Sequence, residues 1–204
     1  MALYNDVLLP RLCHLSMRNR RLVPYRQRAI GLAEGRVLEI GVGSGLNLPF
    51  YGASVSEIMA LEPVPQLIAM ARRLTSASAV PVKFVEASAE AIPIDDESID
   101  TVVTTWTMYT IPHAAVALTE MRRVLRRSGR LVFVEHGLAP DKGVCWWQDR
   151  PTPAWRRISG GCNLNRPIRN MIEQGGFRID RLEAGYMPGL KPLAFMYEGS
   201  AHPA

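Results

Sequence analysis

Apolar residues recur along the chain with two periods, and the switch between them outlines its elements. From Tyr4 to Ala33, Val7, Leu8, Leu12, Leu15, Leu22, Tyr25 and Ile30 fall at roughly helical spacing, interrupted at Pro10 and Pro24, which predicts two or three short helices. After the turn at Glu34-Gly35, the run Arg36-Val-Leu-Glu-Ile-Gly41 is short, apolar and closed by glycines, as expected of a strand buried on both faces of a parallel sheet.

Strand and helix patterns then alternate. Strands are expected over 57–62, 82–85, 99–105 and 130–135, helices over 64–74 and 114–125, and a turn at Arg127-Ser-Gly129. This rhythm predicts an α/β fold with a doubly wound, mostly parallel sheet. It breaks over 137–165, where Pro140, Pro151, Pro153, Gly143, Gly160 and Gly161 are mixed with three tryptophans. So irregular a stretch inside a compact domain reads as a lid or binding segment. A helix over 166–174 and strands over 178–184 and 193–197 follow, and the short Gly189–Pro192 link suits antiparallel pairing of the last two strands. At 204 residues these parts make one domain. Its sections are N-terminal helices over 1–35 acting as a lid, a cofactor-binding core over 36–136, an acceptor-side insertion over 137–165 and a closing helix and strands over 166–204.

Charge and cysteine content narrow the function classes. The net charge is +5 and arginine carries nearly all of the basicity, since Lys83, Lys142 and Lys191 are the only lysines. The early cluster Arg18, Arg20, Arg21, Arg26 and Arg28 either faces water or meets an anion, but no aromatic interleaving or motif points to nucleic acid, which is not an expected partner. Cys13, Cys145 and Cys162 are scattered and form no Cys-x-x-Cys pair, so neither a disulfide framework nor a metal site is expected. No clean apolar run opens the chain, and Pro10, Arg11, His14 and Arg18 interrupt any leader or span. A cytoplasmic protein is expected, with peripheral contact of the N-terminal helices with an anionic membrane as the alternative that is not expected, and its oligomeric state is not legible.

The chemistry concentrates at the tip of the first strand. Glu39-Ile-Gly41-Val-Gly43-Ser-Gly45 places three glycines on alternate positions, where a backbone turns sharply and approaches a ligand closely, and a helix starting near Leu46 would aim N–H groups at an anion. A dinucleotide fingerprint would have glycine where Leu46 stands and no acid at Glu39. An acid there suits a ligand carrying an amino group beside its carboxylate, as S-adenosyl-L-methionine does. Glu62 ends the next expected strand, where a carboxylate can accept from two ribose hydroxyls. A bare turn with a surface glutamate, or a nicotinamide cofactor, remains the alternative.

These residues resemble the class I methyltransferases, especially the ubiquinone and menaquinone C-methyltransferases. The matching pieces are Glu39–Gly45, Glu62-Pro63, Ser88-Ala-Glu-Ala-Ile-Pro93, Ser98-Ile-Asp100 and Glu120–Gly129, in order within 36–136. The resemblance implies a seven-stranded sheet with its last strand antiparallel and S-adenosyl-L-methionine as cofactor. It gives Glu62 the ribose, Val64 an adenine face, Ser88 and Ala89 the adenine edge, and Thr105 and Trp106 the flanks of the methionine part. Ser88 departs from the pattern, since many relatives carry an aspartate there. A narrower resemblance, to the alkyl thiol methyltransferases of the animal endoplasmic reticulum, rests on Gly45-Leu-Asn47 to Tyr51, Trp147-Gln148, Pro153-Ala-Trp155 and Gly161-Cys-Asn-Leu164 with Arg166. It adds Asn47 to the cofactor residues and implies S-methylation of a small thiol or sulfide.

Methyl transfer from a sulfonium is an in-line displacement that asks mainly for alignment and exclusion of water. His136, just past the fifth strand, is the candidate base or thiolate-stabilising group, or else a neutral strand cap. Tyr109 and Met108 are expected to line the acceptor pocket, with Trp146, Trp147 and Trp155 as its apolar wall and Cys162 as a small pocket residue. Asn163 and Arg166 either cap the following helix or hold an acceptor anion. A quinone or phospholipid amine is the alternative acceptor, and a non-catalytic cofactor-binding regulator the alternative of another class.

Overall fold

The computed structural model describes Tyr4 and residues 8–204. Val7 lies outside the described residues. The chain opens with helices α1 (Leu9–Met17) and α2 (Val23–Ile30), joined by a 3-10 turn over Arg20–Leu22. The expected apolar stripe of α1 is turned the other way: Leu8, Leu12 and Leu15 face solvent, while Pro10, Cys13, His14 and Met17 pack inward. Then come β1 (Gly35–Ile40), β2 (Val55–Leu61), α3 (Pro65–Arg72), β3 (Val82–Val85), β4 (Ile99–Thr105), α4 (Ala114–Val124) and β5 (Leu125–His136). The expected turn at Arg127–Gly129 falls within β5 as an irregularity, since the register passes from Ile99 opposite Leu125 to Thr101 opposite Arg130 and residues 126–129 bulge from the ladder. Those residues begin β5, and Gly129 lets the strand run against Asp100, where a Cβ would lie 2.9 Å from the Asp100 carbonyl.

The insertion is more regular than its composition suggests, with α5 (Lys142–Asp149) and α6 (Thr152–Ile158) separated by Pro151 and ended near Gly160-Gly161. Gln148 ties it down from a fully buried position: its Oε1 accepts from Ala139 N at 3.0 Å and its Nε2 donates to the Gly137 and Pro192 carbonyls. Helix α7 (Ile168–Gln174), β6 (Phe177–Tyr186), a short α8 (Lys191–Ala194) and β7 (Phe195–Pro203) complete the chain.

The sheet order is β3-β2-β1-β4-β5-β7-β6, with β7 antiparallel to both neighbours, as the family resemblance implies. Alternation along the central strands feeds two cores. Val102, Leu131 and Phe133 face α4 and α7, while Val37, Val103, Val132 and Val134 face α2. Burial on both faces is why these strands are nearly continuous apolar runs. The chain order reverses between β1 and β4, which opens a crevice at the strands' carboxyl ends where ligands bind in open α/β sheets. Among the described residues no helix is long and apolar enough to cross a membrane.

The β6–β7 pair depends on one close approach. Register shifts between Ile179 and Arg181, and a Cβ on Gly199 would lie 2.1 Å from the Arg181 carbonyl and 2.8 Å from Phe133 Cζ. Backbone cannot yield as a side-chain tip can. Gly199→Ala is expected to cost about 3 kcal/mol, lowering Tm by roughly 5–10 °C in thermal unfolding. An unchanged Tm would mean the bulge relaxes freely.

Candidate active site

At the crevice, β1 delivers Glu39 into full burial, and the glycine turn beyond it folds back over the carboxylate. Asn47 Nδ2 donates to Glu39 Oε1 at 2.7 Å and to Thr105 Oγ1 at 2.8 Å, and the Tyr51 hydroxyl donates to Glu39 Oε2 at 3.0 Å. Arg26 of α2 donates to Asn47 Oδ1, donates to the Met17 carbonyl at 3.1 Å and stacks 4.7 Å from the Trp106 ring centre. Asn47 therefore couples β1, β4 and the N-terminal helices. Burial pushes the Glu39 carboxyl up to about 7, opposed by its bonds to Asn47 and Tyr51 and by the Arg26 charge. Burial also lowers the Arg26 guanidinium to about 10, so it stays charged near neutral pH.

The expected helix near Leu46 is a single 3-10 turn over Leu48–Phe50, because Pro49 and Gly52 leave no room for more. Glycine conformation supplies the turn instead, with φ of 65° at Gly41, 55° at Gly43 and 82° at Gly45. A Cβ at Gly41 would strike the Thr107 side chain and one at Gly45 would crowd Ala71, whereas at Gly43 nothing lies closer than 3.9 Å. Beside that opening, Glu62 Oε2 accepts from Gly43 N at 3.0 Å and Oε1 from Val64 N at 3.1 Å. Helix α1 closes over the loop through a 2.7 Å contact between His14 Nδ1 and Ser44 Oγ. Ala89 is buried after β3 and Ser88 is exposed at the rim.

A second cluster lies beyond β4 and β5. Trp106 holds a left-handed backbone, φ 53°, that a bulky residue rarely adopts. The following turn is fixed by buried Glu135, whose Oε1 accepts from Thr107 N and Met108 N at 3.0 Å each and from Thr104 Oγ1 at 2.7 Å. Burial raises the Glu135 carboxyl to about 7. Outside this turn, the Tyr109 ring stacks 3.8 Å from the His136 ring, and His136 Nε2 lies 3.5 Å from Cys162 Sγ. His136 Nδ1 is buried without a partner. Burial lowers the imidazole to about 4 and raises the Cys162 thiol to about 11, so both are neutral near pH 7.

Asn163 and Arg166 hold this wall in place. Asn163 Nδ2 donates to the Tyr109 carbonyl at 2.9 Å, and Arg166 donates to the Met108 and Ile111 carbonyls. Neither caps α7, whose N-cap position is Pro167. Met108 is fully buried in the core. Trp155 lies beside Cys162, but Trp147 is 61% and Trp146 45% exposed on α5, so the three-tryptophan wall does not form.

Residues 38–133 match the family model described as a methyltransferase domain. The chain carries a methyltransferase domain. It is 37% identical to a phosphatidylethanolamine N-methyltransferase of Cereibacter sphaeroides over 59% of this chain and 60% of that protein. It is 31% identical to a thiol S-methyltransferase of Homo sapiens over 72% of this chain and 62% of that protein. The chain thus spans under two thirds of the length of these curated relatives. A SAM-dependent methyltransferase from Aquifex aeolicus shares the fold, with a TM-score of 0.64 at 17% identity over 93% of this chain and 96% of that one.

The glycine loop, Glu39, Asn47, Glu62, Thr105 and Trp106 of the methyltransferase domain meet as the sequence suggests, and Tyr109, His136, Cys162 and Trp155 form a second group beside them. The buried roles of Arg26 and Glu135 are not singled out by the sequence. Their signals are an arginine in register with Leu22, Ala29 and Ile30, and an acid inside the apolar run ending β5.

Two predictions concern the methyltransferase domain. Asn47→Ala strands Arg26 and bares one side of Glu39, so it should cost about 3 kcal/mol in denaturant unfolding. A loss below about 0.5 kcal/mol would remove Asn47 from its central place. The second concerns pH. An unfolded chain protonates His136 near 6.5 and the folded chain only near 4, so this group takes stability away as pH falls through that window. Glu39 and Glu135, raised to about 7, act oppositely: their contribution is present below about 4.5 and lost as pH rises through 7. Relative to the parent, His136→Gln should gain up to roughly 2 kcal/mol of stability at pH 5 as compared with pH 7.5 in unfolding titrations. Identical pH dependence in variant and parent would acquit the ring.

Proposed function

We propose that this chain is an S-adenosyl-L-methionine-dependent methyltransferase that S-methylates a small thiol or sulfide. The cofactor fits the cradle on two observations: the loop is open at Gly43, where a Cβ meets nothing nearer than 3.9 Å, and each Glu62 oxygen accepts only one backbone N–H. A carboxylate keeps further lone pairs for ribose hydroxyls in that arrangement. Val64, Ser88 and Ala89 would border the adenine, and Asn47, Thr105 and Trp106 the methionine end. When bound, S-adenosyl-L-methionine supplies a methyl group on a sulfonium sulfur.

The acceptor assignment rests on the neutrality of the second cluster. His136, Cys162 and Tyr109 are all held uncharged by burial, and Arg166 is occupied by backbone carbonyls. No strong base stands among the residues of this cluster to ionise a carbon or alcohol. A thiol needs none, since part of it is thiolate near neutral pH and thiolate is intrinsically nucleophilic. The neutral His136 ring, 3.5 Å from Cys162 through Nε2, would hydrogen-bond the acceptor sulfur through the nitrogen that carries its proton. Tyr109 and Met108 would order the turn beneath it. The match to the thiol S-methyltransferase, reaching over 72% of this chain, supports the same acceptor. The higher identity to the phosphatidylethanolamine N-methyltransferase supports a lipid amine as second reading.

The test is incubation with methyl-labelled S-adenosyl-L-methionine and sulfide, an alkyl thiol, a quinol or phosphatidylethanolamine, with products read by mass spectrometry. Labelled thioether or methanethiol is expected. Product from the quinol or lipid alone overturns the acceptor, and cofactor affinity without turnover favours a regulator. Glu62→Ala should weaken cofactor binding about tenfold or more by calorimetry, and unchanged affinity would sink the ribose assignment.

A further inference from the structure

Helix α1 shows its leucines to solvent. Leu8, Leu12 and Leu15 are 48%, 46% and 67% exposed at positions i, i+4 and i+7, one face of a helix, with Arg11 and Arg18 on the same side. An outward apolar stripe on an otherwise well-packed domain calls for a partner.

The stripe does not stand alone. Tyr4 and Leu9, at the start of α1, meet α6 at Ile158 and Gly160 respectively; α6 packs on α5, and α5 on α8. Arg21 donates to the Pro188 carbonyl at 2.9 Å and returns the path to the N-terminal helices. These elements ring the mouth of the crevice. Each adds an exposed apolar side chain: Ile158 from α6, Trp147 from α5, Leu193 from α8 and, just before it, Leu190 at 75% exposure.

Cations outnumber acids on this ring. Residues 8–33 contain no acid, and α6 adds Arg156 and Arg157. Lys142, Arg150 and Lys191 lie on α5, beside it and on α8. The two acids here are both engaged, Asp141 accepting from Tyr186 at 2.5 Å and Asp149 from Asn165 at 2.8 Å. Apolar side chains interleaved with cations, tryptophan and leucine outermost, match the boundary between acyl chains and anionic headgroups.

We infer that this ring docks the protein on an anionic phospholipid bilayer, with α1 and α5 lying in the interface and the crevice mouth facing the membrane. The inference concerns binding and does not rest on the acceptor chemistry above. A second copy of the chain would bring the same excess of cations against these, and a protein partner would have to match cations on α1, α5, α6 and α8 at once, which a continuous anionic surface does without further design.

The test is co-sedimentation with vesicles of phosphatidylcholine alone and with about 30% phosphatidylglycerol, without cofactor or acceptor, so that its result is independent of turnover. Binding is expected to the anionic vesicles only, with a blue shift of tryptophan emission and quenching by brominated acyl chains. It should weaken about fivefold for each of Arg11→Gln and Arg18→Gln, and strongly between about 50 and 500 mM salt. Leu12→Glu with Leu15→Glu should reduce it at least about tenfold, with thermal unfolding unchanged to show that the fold survives. Val116→Glu, exposed on α4 away from the ring, should leave it unaltered. Absence of sedimentation with anionic vesicles, equal binding by the leucine double variant, or a dimer in light scattering that Leu12→Glu with Leu15→Glu dissolves would each overturn the inference.

Discussion

A carboxylate buried at the end of a parallel strand is the constraint around which this site is organised. Glu39 lies in a core that disfavours its charge, and full burial requires that both oxygens find donors. Asn47 and Tyr51 supply them from the segment after the glycines, which fixes how that segment turns back. Asn47 then has an oxygen left over, and Arg26 satisfies it with a guanidinium whose charge offsets the carboxylate. The N-terminal helices are thereby part of the site's electrostatics. A loosely attached lid would leave Asn47 and the carboxylate short of a partner.

Glu135, two strands away, organises a second turn through one oxygen alone, its Oε2 being buried without a partner. Its Oε1 takes three donors and so dictates the turn through Thr107 and Met108, which lets Trp106 hold a backbone conformation unfavourable in isolation. Trp106 in turn carries Arg26 on its ring. The two buried acids thus meet through one tryptophan and one arginine, and the crevice between β1 and β4 is held from both sides.

How much of this was legible follows from the kind of signal each part leaves. Parallel strands buried on both faces write continuous apolar runs, so β1, β4 and β5 could be read along the chain, while the seven-stranded arrangement rests on the family resemblance. The glycine spacing and the acids at 39 and 62 are local and could be read too. Partnership across long sequence distances leaves no periodic trace: Arg26 to Asn47, Glu135 to Thr107 and Arg166 to Met108 join residues from 21 to 58 positions apart. The leucines of α1 show a different limit. Periodicity reveals that they share a face but not which way it points, and inward burial, the usual outcome, does not hold here. Gly129 and Gly199 mark close strand approach, although in sequence such glycines look like turns.

The site is neutral inside and positive outside, and the two tiers act at different ranges. Arginines around the mouth create a potential felt over about a Debye length, which raises the local concentration of anionic partners and falls with salt. Within, burial keeps His136, Cys162 and Tyr109 uncharged, so this cluster adds no fixed anion beside the crevice. Under the thiol reading this neutrality is useful. In a desolvated pocket, attraction between a sulfonium and a thiolate is stronger than in water. An aspartate in place of Cys162 would put a carboxyl group beside His136, whereas the weakly polar thiol fills the space 3.5 Å from Nε2 without carrying a charge.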